Sequence, residues 1–298
     1  LLSSEQAGLI PSTSYPDADI NISPAWDIST GSSKTKVGVF DSPIYWAHED
    51  FGDGTFSGSK IEGGWDYYTQ ADISNVTFPL SSHGTACAGI IGALRNNNIG
   101  IAGIAGGDVD LGETGVQLYS FGIFHDTIFI ETADAAQAII ERSIDPISST
   151  GYGLHVQNHS WGGAVNDPLI EEAVYICWRN NCTFVAARGN VMPFVQNIFP
   201  ACLFDRSLLN IGASGTDGKL KDCDAPHNGD PWYCSYSNNV YQGSNTLMDV
   251  LAPGVTDVIS TTIYSNAPAN YPNACTSSLF PDYQCFNGTS AAAPHVAG

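Results

Sequence analysis

The stretch Phe286-Asn-Gly-Thr-Ser-Ala-Ala-Ala-Pro-His-Val-Ala-Gly298 decides how the rest of the chain is interpreted. Gly288 allows a sharp backbone turn, and the small residues after it favour a helix that begins near Ser290. At a helix N-terminus, unpaired N–H groups and the helix dipole stabilise developing negative charge. Ser290 is therefore a candidate nucleophile, although a Gly-Thr-Ser helix cap without any chemistry has the same local pattern.

A second segment, Ser82-His-Gly-Thr-Ala-Cys-Ala-Gly-Ile-Ile-Gly92, combines a reactive side chain with small residues. The glycines and alanines let a helix pack closely, and they leave the imidazole of His83 exposed at its start. A single histidine in such a position is usually only a polar surface or capping residue. Its interpretation as a catalytic base depends on the other segments of the chain.

Two short apolar runs end in polar side chains. Val37-Gly-Val-Phe-Asp41 predicts a buried strand that ends in an acid, at the edge where open α/β sheets place their binding sites. Val185-Ala-Ala-Arg-Gly-Asn190 predicts a second strand that ends in Gly-Asn. Taken alone, a strand-ending aspartate and a Gly-Asn turn are both ordinary structural features.

Together these segments resemble the motifs of the subtilisin-like serine proteases, in that family's chain order of Asp41, His83 and Ser290. The resemblance covers most of the chain, from about residue 19 to residue 298. It implies that Ser290 attacks a peptide carbonyl, that His83 transfers the proton and that Asp41 orients the imidazole. It also implies that the side chain of Asn190 donates to the oxyanion, together with the Ser290 backbone N–H.

Four positions qualify this resemblance. Cys87 lies where the proteinase K and kexin branches carry a cysteine, and we expect it to be structural rather than nucleophilic. The aspartate segment departs from the family at Pro43 and Tyr45. Arg188 replaces a small residue, so its side chain either points away from the substrate or reshapes the pocket.

Asn158-His-Ser-Trp-Gly-Gly163 resembles the segment whose backbone pairs with substrate as an added strand. Kexins place acids near this segment to hold a basic substrate side chain, but Val165 occupies the nearest position here. We therefore expect no cleavage after paired basic residues. The residues expected to contact substrate are Ser160, Trp161, Gly162, Ala187 and Gly189.

The loop Leu94-Arg-Asn-Asn-Asn-Ile-Gly-Ile101 resembles the family's calcium loop, although Asn-rich loops are usually only turns. The resemblance implies a structural Ca²⁺ held by carboxylate, amide and carbonyl oxygens, which are the ligands that this ion prefers. The implied ligands are the side chains of Asp50 and Asn97 and the carbonyl groups of Leu94, Ile99 and Ile101.

Strands that alternate with helices predict an α/β fold with a mostly parallel sheet covered on both faces, which agrees with the three-layer fold of this family. The predicted strands lie at 37–41, 116–124, 155–161, 183–187, 208–213 and 248–251, and the predicted helices at 83–94, 132–144 and 167–177. Residues 1–298 are predicted to form one domain with an N-terminal arm at 1–35 and a surface loop at 219–246. We expect further helices after Gly298 and, in the absence of a leader sequence, a processed or trimmed form.

Composition limits the possible partners of the chain. The 298 residues carry 10 Lys and Arg against 30 Asp and Glu, a formal net charge of −20. Such a charge repels nucleic acid and anionic membranes, and no apolar run reaches the length of about 18 residues that a membrane span needs. We expect a secreted monomer that acts on protein or peptide substrates and is matured with a propeptide.

The eight cysteines predict local disulfides in a secreted protein. The simplest pairing joins Cys177 to Cys182, Cys223 to Cys234, and Cys275 to Cys285. Cys87 and Cys202 are then either buried thiols or a fourth bridge. No pair has the Cys-x-x-Cys spacing of a zinc or redox site.

The leading functional hypothesis is therefore a secreted serine endopeptidase stabilised by calcium. The alternative is a catalytically impaired binding protein on the same fold, and an esterase with the same chemistry is a further candidate. An intact set of Asp41, His83, Ser290 and Asn190 favours the endopeptidase.

Overall fold

The computed structural model describes residues 19–126, 128–143, 151–190, 198–203, 207–215, 248–254, 258–262 and 282–298. The α-helices in these ranges are α1 (Ile22–Trp26), α2 (His83–Gly92), α3 (Thr132–Ser143), α4 (Pro168–Arg179) and α5 (Thr289–Ala297). The strands are β1 (Lys36–Asp41), β2 (Ile61–Asp66), β3 (Ala71–Asp72), β4 (Gln117–Gly122), β5 (Phe124–His125), β6 (Ile128–Phe129), β7 (Val156–His159), β8 (Thr183–Ala187), β9 (Leu208–Ser214), β10 (Val250–Pro253), β11 (Ile259–Thr261) and β12 (Tyr283–Cys285).

Eight strands form one sheet in the order β10-β9-β8-β7-β1-β4-β2-β3. All neighbouring strands are parallel except β2 and β3, which pair antiparallel at one edge. Strand β1 lies between β4 and β7, and its last residue, Asp41, is opposite Gly122. The carboxyl ends of the central strands therefore meet at one edge of the sheet, where a parallel sheet forms its binding sites.

Alternate residues of the central strands pack into two separate cores. On one face, Val39 and Val185 belong to the core that includes the buried sides of α2 and α5. On the other face, Phe40 and Phe184 pack with α3 and α4. Each buried side chain of this size contributes about 1.5–3 kcal/mol, so both helical layers are held by the sheet between them. The predicted three-layer α/β fold is confirmed.

The predicted elements are present, with small shifts at their ends. The strand at 183–187 is found as predicted, whereas the strand predicted at 248–251 is β10, Val250–Pro253. Helix α4 begins as predicted, because the carboxylate of its N-cap, Asp167, accepts a hydrogen bond from the N–H of Leu169. Strand β2 and the hairpins β5–β6 and β11–β12 were not predicted.

Some predictions concern residues outside the described ranges. Residues 1–18 of the N-terminal arm and the predicted surface loop at 219–246 lie outside the described residues. The described part of the arm contains α1. Among the helices of the described ranges, none has the length and apolar character needed to cross a bilayer.

The disulfide predicted between Cys177 and Cys182 is wrong for this structure, in which both residues are buried free thiols. Cys177 lies in the last turn of α4, and its thiol donates to the carbonyl oxygen of Cys182 at 3.5 Å. A hydrogen bond with the Cys182 side chain, together with burial, raises the pKa of Cys177, so this sulfur keeps its proton. Cys223, Cys234 and Cys275 lie outside the described residues, as does the side chain of Cys285.

Candidate active site

An aspartate–histidine pair lies at the carboxyl edge of the sheet. Asp41 ends β1 and is fully buried, and His83 begins α2 with 29% of its side chain exposed. Nδ1 of His83 is 2.8 Å from Oδ1 of Asp41 and 2.9 Å from Oδ2. Because a carboxylate only accepts, Nδ1 carries the proton, and Nε2 is left as the acceptor on the exposed side of the ring.

Two features of its surroundings shift the pKa of His83 in opposite directions. Burial lowers the pKa, whereas the negative charge of Asp41 and its hydrogen bond raise it. The second effect prevails, so the pKa of His83 lies above the ordinary value of 6.5. The neutral imidazole is the form that can accept a proton, and it therefore predominates only at a pH above this raised pKa.

The start of α2 lies directly against the end of β1. The N–H of Gly84 donates to Oγ of Ser42 at 2.9 Å, and a Cβ at Gly84 would collide with the carbonyl oxygen of Ser42. Only glycine therefore allows the helix to approach closely enough for His83 to meet Asp41. This confirms the predicted close packing at the histidine segment.

Ser290 lies in the first turn of α5, after Gly288 at a φ of +93°. Its hydroxyl donates to the carbonyl oxygen of Ser160 at 3.1 Å rather than to His83. Its own carbonyl oxygen accepts from Oγ of Ser160 at 3.0 Å and from the thiol of Cys87 at 3.7 Å. Hydrogen bonds between catalytic groups are often long or misaligned without substrate and tighten when it binds, so this contact describes the resting arrangement.

Cys87 lies beneath the pair and links it to α5. Its thiol is 3.7 Å from Oδ2 of Asp41 and equally far from the carbonyl oxygen of Ser290. Burial and the charge of Asp41 raise its pKa well above the ordinary value. A thiol that keeps its proton is a poor nucleophile, which supports the structural role expected for Cys87.

Asn190 follows β8 and is oriented by α5. Its Oδ1 accepts from the backbone N–H of Thr289 at 2.8 Å and from Oγ1 of Thr289 at 3.0 Å. Thr289 is in turn held by the N–H of Gly189, which donates to Oγ1 at 2.9 Å. A Cβ at Gly288 would lie 2.7 Å from Nδ2 of Asn190, so this nitrogen lies beside the turn that precedes Ser290.

The segment predicted to pair with substrate, Ser160-Trp161-Gly162, follows β7. Beyond it, Gly163 and Phe199 exchange two backbone hydrogen bonds of 2.8 and 2.9 Å, which hold the segment extended. Ala187 ends β8, and Gly189 follows it two residues later. Ile198 lies against both segments, because a Cβ at either Gly162 or Gly189 would collide with its side chain.

Aromatic residues that the sequence did not single out border this cleft. The ring of Phe124 in β5 lies 5.9 Å from that of His83, and Phe286 lies 5.0 Å from it on another side. Phe129 of β6 lies 6.2 Å from Trp161, on the far side of the cleft. The hairpin β5–β6 is too short for a periodic sequence signal. Thr289, in contrast, stands inside the Gly-Thr-Ser motif and was overlooked.

Arg188 does not line the cleft. Its side chain is 2% exposed, and its electrostatic partners are Cys202 and Asp249. This favours the alternative in which Arg188 points away from the substrate. Cys202 is also buried, and its sulfur accepts from the N–H of Ile198 at 3.2 Å.

The two side chains predicted to bind calcium, Asp50 and Asn97, meet, but they bind each other directly. Nδ2 of Asn97 donates to Oδ1 of Asp50 at 2.8 Å, and the N–H of Ile101 donates to Oδ2 at 2.9 Å. The amide oxygen of Asn97 accepts from the N–H of Ile99 at 3.0 Å. Ca²⁺ binds oxygen ligands, whereas Asn97 turns its nitrogen towards the carboxylate. In this arrangement the residues do not fit a calcium ion, and the ligand set expected from the sequence is not supported.

Comparisons with known proteins agree with this geometry. Residues 32–298 match the Subtilase family. Thermitase from Thermoactinomyces vulgaris is 27% identical over 289 residues, covering 96% of this chain and 80% of thermitase. An extracellular protease from Xanthomonas campestris pv. campestris is 29% identical over 306 residues, covering 95% of this chain but only 46% of that protein.

A solved structure of a protease from Pseudoalteromonas arctica PAMC 21717 shares the fold, with a TM-score of 0.68 at 24% identity. The match covers 100% of this chain and 84% of that one. The family match spans most of the sequence and includes all the segments described above. This chain therefore belongs to the subtilase family and is a subtilisin-like serine endopeptidase.

Proposed function

We propose that this chain is a secreted endopeptidase with a single peptidase domain, residues 1–298, which hydrolyses peptide bonds through an acyl-enzyme intermediate. The observation that carries the proposal is the contact of His83 Nδ1 with both oxygens of the buried Asp41 carboxylate. It leaves a basic nitrogen at the sheet edge where Ser290 begins α5. A buried carboxylate that orients a partly exposed imidazole is the arrangement that general-base catalysis requires.

In the first half of the reaction, the hydroxyl of Ser290 leaves the carbonyl of Ser160 and gives its proton to Nε2 of His83. Oγ then bonds to the substrate carbonyl carbon, and the oxyanion accepts from Nδ2 of Asn190 and the Ser290 N–H. The C–N bond breaks as His83 returns the proton to the leaving nitrogen. A water molecule, deprotonated by His83 in the same way, then hydrolyses the ester.

The substrate in this proposal is an extended peptide that pairs with the backbone of Ser160-Trp161-Gly162. Its side chain at the cleaved bond enters the space between this segment and Ala187 and Gly189. Val165 offers no carboxylate to hold a basic side chain, so cleavage after paired basic residues is not part of the proposal.

We also propose that the protein acts outside the cell as a monomer, after maturation with a propeptide. The name of the Xanthomonas relative, an extracellular protease, supports the location. The net charge of −20 keeps such a protein apart from nucleic acid and anionic membranes.

Removal of the Asn190 side chain tests the oxyanion site. In Asn190→Ala, we expect kcat for an internally quenched peptide to fall by about 10²–10³-fold, the loss known for such a donor in subtilisin, with a much smaller change in KM. The substitution also removes Oδ1, which accepts from Thr289, so the melting temperature is measured to separate a loosened α5 from the loss of the donor. Mass spectra of the products would show whether cleavage is internal.

The matched control is Gln137→Ala, which removes an exposed amide from α3 and should leave kcat unchanged. An unchanged kcat in Asn190→Ala would refute the oxyanion assignment. Absence of peptide hydrolysis in the unmodified chain would instead favour the catalytically impaired binding protein.

A further inference from the structure

The carboxylate of Asp50 is fully buried in the short helical turn Glu49–Phe51. A buried carboxylate is costly unless charges or hydrogen bonds compensate it. Here two protein donors bind it, the amide of Asn97 at 2.8 Å and the N–H of Ile101 at 2.9 Å. The hydroxyl of Tyr283, which donates to Oε1 of Glu49 at 3.1 Å, lies beside it. Burial raises the pKa of Asp50, and the hydrogen bonds from Asn97 and Ile101 lower it by less, so the chain compensates the burial of this carboxylate in part.

The space beside the carboxylate is filled by the hydroxyl of Tyr283. A Cβ at Gly100 would collide with both this hydroxyl and Oδ2 of Asp50, so the loop, the tyrosine and the carboxylate meet without a gap. A calcium ion needs about six to eight oxygen ligands. The carboxylate of Asp50 instead binds two N–H donors, from Asn97 and Ile101, and a calcium ion at this place would need oxygen atoms from these residues.

Tyr283 also connects this loop to the nucleophile. It is buried in β12, seven residues before Ser290, and its hydroxyl is 3.1 Å from Oε1 of Glu49. Next to it, Nε2 of His48 is 2.8 Å from the carbonyl oxygen of Asp282. The turn at 48–50 is thus bonded directly to the strand that leads into α5.

We propose that Asp50, Asn97 and Tyr283 form a metal-free clamp, in which hydrogen bonds take the place of a calcium ion. The clamp joins three segments that are distant in sequence: the turn at 49–51, the loop at 94–101 and strand β12. The stability of this region is then independent of calcium and dependent on the Tyr283 hydroxyl.

Thermal unfolding of the full chain tests the clamp, with Ser290→Ala in every sample to prevent self-digestion. The melting temperature is measured in millimolar CaCl₂ and in a calcium chelator for the reference chain, Tyr283→Phe and Asn97→Ala. The clamp predicts that Tyr283→Phe lowers it by roughly 3–8 °C in both solutions, because the hydrogen bond to the Glu49 carboxylate is lost and the buried Asp50 carboxylate loses the hydroxyl beside it. Asn97→Ala should lower it by a similar amount, again equally in both solutions.

Two controls make the result specific. Tyr175→Phe removes a hydroxyl from the outer side of α4 and should leave the melting temperature unchanged. Asp50→Asn shows whether Asp50 binds calcium, because any stabilisation by calcium at other sites should be the same with and without its carboxylate. A calcium-dependent stabilisation that is lost in Asn97→Ala or in Asp50→Asn would overturn the clamp. So would a Tyr283→Phe variant as stable as Tyr175→Phe.

Discussion

Replacement of Ser290 by alanine is expected to lower kcat for peptide hydrolysis by about 10⁶-fold, the scale of the loss when subtilisin loses its nucleophile. The reason is that the acyl-enzyme route needs Oγ as its attacking atom. Cys87, whose sulfur lies 3.7 Å from the carbonyl oxygen of Ser290, cannot replace it, because burial and the charge of Asp41 raise its pKa and it keeps its proton. The measurement is kcat for an internally quenched peptide, with the product masses identified.

The fold should survive this substitution. The hydroxyl of Ser290 donates only to the carbonyl oxygen of Ser160, so its loss costs little stability. Ser57→Ala, which removes an exposed hydroxyl, is the matched control and should keep full activity. A Ser290→Ala variant that is correctly folded and retains more than a trace of activity would exclude Ser290 as the nucleophile.

Replacement of Asp41 by asparagine is expected to lower kcat by about 10⁴-fold. An asparagine can donate to Nδ1 of His83, which favours the tautomer with its proton on Nε2, where it cannot accept the proton of Ser290. The substitution also removes the charge that raises the pKa of His83. The acidic limb of the profile of kcat/KM against pH should therefore move to lower pH, while the maximum rate falls.

The chain offers a matched control for this experiment in a second buried pair. Oδ2 of Asp66 lies 3.0 Å from Nε2 of His125, at the same edge of the sheet but outside the proposed reaction. Asp66→Asn should change kcat far less than Asp41→Asn does. If both variants lost activity equally, the effect of Asp41→Asn would be structural rather than catalytic.

The central fold was predictable because its strands carry continuous apolar runs. Val37–Phe40 and Phe184–Ala187 face helices on both sides, so both odd and even positions are apolar and the signal is strong. Strand β2 has two glycines and a glutamate, and it forms because β4 pairs with it. The hairpin strands β5 and β6 have two residues each and depend on the surrounding structure.

The sequence also predicted the candidate site residues, because each stands in a local motif. It did not reveal contacts that form between distant segments. The orientation of Asn190 depends on Thr289, 99 residues away, and the hydroxyl of Ser290 is held by Ser160, 130 residues away. The sequence analysis brought Asp50 and Asn97 together across 47 residues, but it did not predict that the amide nitrogen of Asn97 would face the carboxylate.

The claim that Asp41, His83 and Ser290 act as one unit is tested most directly by the rate of covalent labelling at different pH values. A serine-directed phosphonyl fluoride should attach once per chain, on the peptide that contains Ser290. The labelling rate should rise with pH through an apparent pKa above 6.5, because His83 must be neutral to accept the proton and Asp41 raises its pKa. A label on another residue, or a rate on Ser290 that does not change with pH, would contradict the proposed active site.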